Sequence, residues 1–321
     1  MLKIGNVAIE QTAALAPMAS VADRAYRSMC KDYGACYLVS EMVSAKGICF
    51  TEYKATDLLT IKQSEHPMAI QLFGSEPDYF VKALPIVLKY KPDIIDINMG
   101  CPVPKVTSNG GGCSLMRNPG LAAEIVTVTV RNSPIPITVK IRKGWDDNSI
   151  NAVEFSKKMQ DCGASAITMH GRTKTQMYSG CADWDIIAKV KKSVDIPVIA
   201  SGDVTSPETA KALYQKTGAD LIMIGRGSYG KPWLFQQISD YLKTSKYSPD
   251  PNIECRMNIM LEHIRRICED KGEYIGMKEA RSQAMRYLYG ICGAAGYRSK
   301  CSKFEKYSDA LKLVNEILGD F

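Results

Sequence analysis

The chain has 321 residues, of which 45% are apolar and 23% charged, and 41 Lys and Arg against 34 Asp and Glu give a formal net charge of +7. This composition is typical of a folded globular protein and excludes disordered and fibrous classes. The length suits a barrel of about 250 residues with a small second domain, and the positive charge favours a polyanionic partner without identifying one.

The N-terminus and the cysteines indicate where the protein works. No apolar run approaches the roughly 18 residues of a membrane span, and residues 1–17 lack the basic and apolar regions of a secretory signal. We therefore expect a cytoplasmic protein with no membrane association. The 11 cysteines are scattered and form no C-x-x-C pair, so we expect mostly reduced thiols and no metal site.

Eight short apolar runs, rich in β-branched residues, alternate with stretches of helical spacing over the first 242 residues. The runs are Thr12–Ala16, Cys36–Val39, Ala69–Leu72, Ile94–Ile97, Ile137–Ile141, Ala166–Met169, Pro197–Ala200 and Leu221–Ile224. They are continuous rather than alternating, which is typical of parallel strands with a covered outer face. Eight such strand–helix units predict an α/β fold, a (β/α)8 TIM barrel.

The pattern changes after residue 242. Residues 243–252, KTSKYSPDPN, contain two prolines and little apolar content, so we predict a linker there. In residues 253–321, apolar side chains such as Met257, Met260 and Ile264 recur at helical spacing. The sequence therefore predicts a barrel domain over residues 1–242 and a C-terminal domain of three or four helices over residues 253–321.

Polar residues end nearly every predicted strand, where α/β barrels carry their catalytic groups. They are Glu41, Gln71, Asn98, Lys140, Arg142, His170, Arg172, Asp203 and Arg226, with Cys101 just beyond the fourth strand. So many chemically active side chains in one ring predict an active site. The loops with Ser201-Gly202-Asp203 and with Gly225-Arg226 follow the last two strands, where barrels commonly bind phosphate.

The segment Gly225–Gly230 has the form G-x-G-x-x-G, but no parallel strand follows it, so we reject a dinucleotide-binding fold. Cys101 stands between Gly100 and Pro102, which direct its thiol into the barrel mouth. A thiol with an ordinary pKa of about 8.5 is protonated at neutral pH and can serve as a general acid. His170 and Lys140 can stabilise an anion on a bound ring, such as a reduced flavin.

Several of these segments together resemble the tRNA-dihydrouridine synthases, and within them a bacterial branch. The matching segments are Leu15–Met18, Gln71–Gly74, Asp96–Lys105 (DINMGCPVPK), Val139–Arg142, His170–Thr173, Ser201–Asp203 and Ile224–Arg226. The resemblance covers the barrel in order and extends into the helical region. It departs at Ser201, where relatives often have Asn, and at Cys113, a second thiol after the Gly-Cys-Pro motif.

The resemblance implies a bound FMN that is reduced by NADPH, or by NADH, and that passes hydride from N5 to C6 of uridines in tRNA. Cys101 would then protonate C5. The expected FMN contacts are Ala16, Pro17, Met18, Gln71, Lys140 and His170 at the ring and ribityl chain, and Ser201, Gly202, Asp203, Gly225 and Arg226 at the phosphate. We further expect Asn98, Lys105 and Arg172 to contact the substrate.

The helical region carries a basic segment. Between Lys278 and Lys303 there are six basic residues and one acidic residue. We expect Lys278, Arg281 and Arg286, which recur at helical spacing, to contact tRNA phosphates. No stable protein partner is implied. Two alternatives remain open: an FMN enzyme acting on a free pyrimidine or other small molecule, similar to dihydroorotate dehydrogenase, and a non-catalytic RNA-binding barrel.

Overall fold

The computed structural model describes residues 1–320, without the side chains of residues 52–54. Its strands are β1 (Leu2–Ile4), β2 (Val7–Ile9), β3 (Ala14–Leu15), β4 (Tyr37–Ser44), β5 (Met68–Phe73), β6 (Ile94–Met99), β7 (Ile137–Gly144), β8 (Ala166–Thr173), β9 (Val198–Ser201) and β10 (Leu221–Ile224). Strands β3 to β10 close into a parallel barrel in which β10 pairs with β3. The predicted TIM barrel is confirmed.

Helices follow the barrel strands and then continue beyond the barrel. They are α1 (Arg24–Asp32), α2 (Ala45–Leu59), α3 (Pro77–Leu88), α4 (Pro104–Thr107), α5 (Pro119–Asn132), α6 (Ala152–Asp161), α7 (Trp184–Ser193), α8 (Pro207–Thr217), α9 (Leu234–Thr244), α10 (Ile253–Lys271), α11 (Glu273–Tyr287), α12 (Ala294–Cys301) and α13 (Tyr307–Gly319). Single 3-10 turns lie at Gln63–Glu65, Gly112–Arg117 and Arg226–Ser228. Many helices begin with a capping side chain, such as Asp23 on α1 and Ser206 on α8.

Two features of the barrel differ from the sequence prediction. The antiparallel hairpin β1–β2 was not predicted, because each of its strands has only three residues. Its Leu2, Ile4 and Ile9 are buried against the N-terminal ends of the barrel strands, so the hairpin closes the bottom of the barrel. Strands β4, β7 and β8 extend several residues past their predicted ends, because backbone pairing continues through the polar residues at which the apolar runs stop.

The helices α10 to α13 share an apolar core separate from the main barrel core, and Ala25 and Trp233 of the barrel region pack into it. Residues 246–252 form neither helix nor strand. The predicted linker begins three residues earlier, inside α9, and the predicted second domain ends one residue beyond the described chain. The division into two domains stays a prediction.

Several side chains hold the helices α10 to α13 beside the barrel mouth. Arg266 of α10 donates to Ser28 at 3.1 Å and to Asp32 at 2.6 Å on α1. Gln283 of α11 donates to the carbonyl oxygen of Ser20 at 2.8 Å. Ser20 belongs to the loop after β3, so the helical region contacts a loop that borders the barrel opening.

Candidate active site

A cavity of about 540 Å³ opens at the C-terminal end of the barrel. Its walls come from loops and strand ends all round the barrel and include Ala16, Pro17, Met18, Met42, Gln71, Asn98, Cys101, Lys140, Arg142, His170, Tyr178, Ser201, Gly202, Asp203, Gly225 and Arg226. Every residue that the sequence analysis assigned to FMN lines this one cavity, together with Cys101 and Asn98. The cavity is large enough for a ligand of nucleotide size.

Cys101 is held at the cavity wall by the side chain of Asn98. The Asn98 Oδ1 accepts the backbone N–H groups of Gly100, at 3.1 Å, and of Cys101, at 2.8 Å. The two bonds fold the chain sharply after β6, so that the cysteine, with 9% of its surface exposed, faces the cavity. Burial raises the pKa of the Cys101 thiol above its ordinary value, although Arg142 and Lys140 oppose the shift. The thiol therefore carries its proton at neutral pH.

A buried hydrogen-bond chain continues from Asn98 across the barrel floor. Asn98 donates to Gln71 Oε1 at 2.8 Å, and Gln71 donates to Asp96 Oδ2 at 2.7 Å. Thr138 donates to the other Asp96 oxygen at 2.5 Å. Burial raises the pKa of Asp96 despite these donors. This series of hydrogen bonds connects the Cys101 turn to β5, β6 and β7. Some of the donors and acceptors of the Asn98 and Gln71 amides are therefore already bonded within the protein.

The second thiol of the motif lies elsewhere. Cys113 is fully buried in the apolar core and does not line the cavity. Burial raises its pKa to about 12. Between the two thiols, Gly112 adopts a φ of +56°, and a Cβ there would lie 2.8 Å from the Cys101 carbonyl oxygen. The close approach of the 3-10 turn to Cys101 therefore requires glycine at this position.

Two nitrogen bases line the cavity wall. His170 Nε2 is buried without a hydrogen bond, and Lys140 interacts electrostatically with the buried Asp96. Burial lowers the pKa of Lys140 to about 8, with Arg142 adding to the shift. Burial, and then Lys140 and Arg142, hold the pKa of His170 well below its ordinary value. At neutral pH, Lys140 therefore supplies a positive charge and His170 a neutral imidazole.

Arg172, expected to contact the substrate, is bonded to the protein itself. This residue is 2% exposed, does not line the cavity, and holds Asp203 with two bonds of 2.8 and 2.9 Å. It also donates to the carbonyl oxygens of Ser179 and Gly180. Burial opposes ionisation of Asp203, but bonds from Arg172 and the Ala182 N–H outweigh it and lower the pKa of Asp203. Arg172 therefore supports the loop after β9 from behind, and its expected contact with the substrate stays a prediction.

Arg142 and Tyr178 are among the cavity residues that were not predicted from the sequence as ligand contacts. Arg142 was recognised only as a strand end, and Tyr178 lies in the loop after β8, where no motif marks it. The Tyr178 ring is 51% exposed and lies 5.6 Å from the Arg142 guanidinium and 4.4 Å from that of Arg226. The ring thus lies between β7 and β10 at the lip of the cavity. The position of a tyrosine in the loop after a predicted strand was the sequence feature that could have indicated this contact.

The three basic residues expected to contact tRNA have different surroundings in the helical region. Lys278 lies over the exposed ring of Tyr274 at 3.8 Å, and Arg281 donates to the carbonyl oxygen of Phe304 at 2.9 Å. Arg286 instead lies over Tyr229 of the barrel at 3.9 Å, beside the mouth. Their contacts with tRNA stay a prediction. Lys105 is exposed and does not line the cavity.

Two other kinds of feature were sought in the described part of the protein, a metal site and a membrane-spanning helix. Within residues 1–320, no three His, Cys, Asp or Glu side chains come together as metal ligands would. No helix in the same range combines the length and the apolar character that crossing a membrane requires.

A closed parallel barrel with a reactive ring at its C-terminal end defines the chain as a TIM-barrel enzyme. Solved barrels of this kind include 6-hydroxypseudooxynicotine amine oxidase from Pseudomonas geniculata, with a TM-score of 0.59 and 14% identity over 83% of this chain. Another is histamine dehydrogenase from Rhizobium, with a TM-score of 0.51 and 13% identity over 85% of the chain. The chain spans 52% and 48% of the length of these structures, and at such identity the likeness concerns the fold alone.

The sequence comparisons identify the family. Residues 14–320 match the family model described as dihydrouridine synthase. A probable tRNA-dihydrouridine synthase of Rickettsia bellii is 42% identical over 93% of this chain and 92% of its own length. The tRNA-dihydrouridine synthase B of Vibrio vulnificus is 40% identical over 89% of both chains. The chain therefore belongs to the dihydrouridine synthase family and is an oxidoreductase.

Proposed function

We propose that this enzyme reduces the C5=C6 bond of uridines in tRNA to give 5,6-dihydrouridine, using FMN bound in the cavity and NADPH as the reductant. The observation that carries the proposal is the convergence on one cavity of Cys101, Lys140 and His170, whose Nε2 is buried without a hydrogen bond. We further propose that it acts in the cytoplasm.

The cavity residues fit FMN by their chemistry. An isoalloxazine ring offers carbonyl oxygens and ring nitrogens, which suit the unused nitrogens of Lys140 and His170. Arg226, 46% exposed at the far side of the same cavity, suits the phosphate. Ser201, Gly202 and Gly225 would surround that phosphate, whereas Asp203 would serve it through its backbone because its carboxylate is held by Arg172.

Bound and reduced FMN would supply the hydride that adds to C6 of the uracil. The chain's own residues supply the rest. Cys101 holds a proton on Sγ and donates it to C5, where negative charge develops as the double bond is reduced. The positive charges of Lys140 and Arg142 stabilise the anion that forms on the uracil carbonyl before that donation is complete. The Asn98 bonds keep the thiol at the cavity wall while the proton moves.

The depth of the cavity constrains the substrate. A uridine inside folded RNA has to leave its stack to reach Cys101, at a cost of about a few kcal/mol. The exposed Tyr178 ring at the lip offers a stacking surface for a nucleobase. Basic residues of the helical region, among them the exposed Lys278 and the half-buried Arg281, would offset the cost by binding RNA phosphates.

The experiment that tests the proposal uses the full chain loaded with FMN, NADPH and a tRNA transcript that contains no modified uridine. We expect mass spectrometry of the digested tRNA to show uridines that have gained two hydrogen atoms, and no reaction with free uridine. Reduction of free uridine or another pyrimidine at a comparable rate would favour the small-molecule alternative. A colourless protein that binds tRNA but reduces nothing would favour the non-catalytic barrel.

A further inference from the structure

A second cleft lies beside the mouth, between the loop after β10 and the helices α11 and α12. It has a volume of about 430 Å³. The residues that matter for its chemistry are Arg226, Lys231, Arg286, Arg298, Tyr229 and Tyr289. Arg226 and Tyr229 also line the active-site cavity, so the two spaces share a wall. The cleft and the active-site cavity are therefore adjacent.

The cleft is strongly positive. Four of its lining residues are Lys or Arg, and none is Asp or Glu. Lys231 pairs with Asp250 at 3.4 Å, and Arg226 lies 3.8 Å from Asp203, so these two charges are partly balanced.

Two cations of the cleft retain unused donors. Arg298 is exposed and makes no ion pair with any residue of the described chain. Arg286 has its Nε buried without a hydrogen-bond partner. A buried guanidinium nitrogen without an acceptor is costly unless a ligand supplies one. The cleft therefore has the donors of an anion site.

The segment Gly225–Gly230, which is not part of a dinucleotide-binding fold, forms one wall of this cleft. A Cβ on Gly230 would lie 2.6 Å from the carbonyl oxygen of Arg286, and one on Gly227 would lie 1.9 Å from the carbonyl oxygen of Val204. The two glycines thus allow the loop to pack directly on α11 and on the loop after β9. This contact places Arg286 over the Tyr229 ring at 3.9 Å.

We propose that this cleft binds the adenosine 2′-phosphate end of NADPH, a proposal that rests on the function proposed above. A phosphate monoester carries a charge of about −1.5 to −2 at neutral pH, against −1 for each phosphodiester of RNA. Arg226 serves the FMN phosphate in the function proposed above, so Lys231, Arg286 and Arg298 are the cations left for the monoester, and three cations lining one cleft suit it better than a single diester. Tyr289, 75% exposed at the edge, offers its ring to the adenine. The nicotinamide end would then extend toward the adjacent active-site cavity.

The first test measures binding without the flavin reaction. Calorimetry on the full chain compares 2′,5′-ADP, which has the 2′-phosphate, with 5′-AMP, which lacks it. We expect 2′,5′-ADP to bind more tightly to the unaltered protein. Arg286→Gln should weaken that binding about tenfold and Arg298→Gln about fivefold, because each removes one charged hydrogen-bond donor. Neither change should affect 5′-AMP. Lys303→Gln, an equal change of charge outside the cleft, is the matched control.

Enzyme kinetics give an independent readout. The ratio of kcat/KM for NADPH to that for NADH should fall in Arg286→Gln and Arg298→Gln and stay constant in Lys303→Gln. Arg298 is exposed, so Arg298→Gln tests the proposal even if Arg286→Gln does not fold.

Three results would overturn the proposal. In the first, the unaltered protein binds 2′,5′-ADP and 5′-AMP with equal affinity. In the second, both variants bind 2′,5′-ADP as the unaltered protein does. In the third, the variants bind tRNA more weakly while the ratio of kcat/KM for NADPH to that for NADH is unchanged. The last result would assign the cleft to RNA. Failure to form dihydrouridine, with the expected loss of 2′,5′-ADP binding in the variants, would instead refute the proposed function and leave the cleft assignment in place.

Discussion

Replacing Gly112 by Ala tests whether the 3-10 turn behind Cys101 positions the thiol. The new Cβ would lie 2.8 Å from the Cys101 carbonyl oxygen, 2.9 Å from Val106 Cγ1 and 3.1 Å from Cys101 Cβ. The left-handed φ of +56° adds strain for any residue with a side chain. Gly110→Ala is a matched control, since its φ is +76° but its nearest neighbour is the Ser75 Cβ at 3.2 Å.

The two substitutions share the cost of the left-handed backbone, about 1 to 2 kcal/mol. Only Gly112→Ala adds an overpacking cost, about 1 to 3 kcal/mol, against a buried backbone that has little room to move. Because the strain falls on Cys101 itself, we also expect a shift of the thiol. A displacement approaching 1 Å costs about a hundredfold in rate, so a loss of tens of fold is expected for smaller shifts.

Urea unfolding measures the stability of both variants, and mass spectrometry of tRNA measures dihydrouridine formation. We expect Gly112→Ala to lose about 2 to 5 kcal/mol and most of its activity. Gly110→Ala should lose about 1 to 2 kcal/mol and remain active. Equal stability and equal activity of the two variants would refute the inference that the turn positions Cys101.

Three further predictions follow from the charges around the cavity. Burial raises the pKa of Cys101, so iodoacetamide should alkylate this thiol rapidly only at a higher pH than it alkylates a free thiol, as measured by peptide mass spectrometry. An alkylation rate that has already reached its plateau at neutral pH would contradict the role of Cys101 as a proton donor. Lys140 loses its charge as the pH rises through its pKa of about 8, so the affinity of the FMN-free protein for FMN should fall across that pH range. Lys140→Met should remove this pH dependence. If the affinity of Lys140→Met still falls, another group causes the pH dependence. Arg172→Met leaves Asp203 without its buried partner and should lower the free energy of unfolding by about 3 kcal/mol. Arg226→Met, which changes a half-exposed arginine, should lower it by less than about 1 kcal/mol. Equal losses of the two variants in urea unfolding would refute the larger contribution of the Arg172–Asp203 pair.

Much of the barrel was predictable because its strands are buried on both faces. Their apolar runs are continuous, and a polar residue ends each run near the cavity. The same rule placed the strand ends too early, since Glu41 and Arg172 lie inside β4 and β8. The hairpin β1–β2 was missed because strands of three residues carry too little pattern.

The candidate site was predictable where a residue's position along a strand determines where it points. Cys101, Lys140 and His170 line one cavity for that reason. Arg172 shows the limit: it lies two residues beyond His170 on the same strand, yet its side chain is buried against Asp203. Whether an arginine near a strand end faces the cavity or supports a loop depends on a carboxylate from another strand, and that pairing has no local signature.

Tyr178 and the cleft beside the mouth depend on contacts between segments far apart in the chain. Tyr178 lies near guanidinium groups from β7 and from the loop after β10. Arg286 was expected from its helical spacing to contact tRNA, and the close packing of Gly230 on α11 places it over the Tyr229 ring of the barrel region. Contacts of this kind depend on tertiary packing, and the spacing of residues along a helix does not predict them.

The central claim, that Cys101 is the proton donor, is tested most directly by comparing Cys101→Ala with Cys113→Ala in dihydrouridine formation on tRNA. We expect Cys101→Ala to bind FMN and to be reduced by NADPH as the unaltered enzyme is, but to form dihydrouridine about 10² to 10⁴ times more slowly. Cys113→Ala, altered only in the core, should retain the activity of the unaltered enzyme in its folded fraction. Dihydrouridine formation at the unaltered rate by Cys101→Ala, or its loss in folded Cys113→Ala alone, would contradict the account.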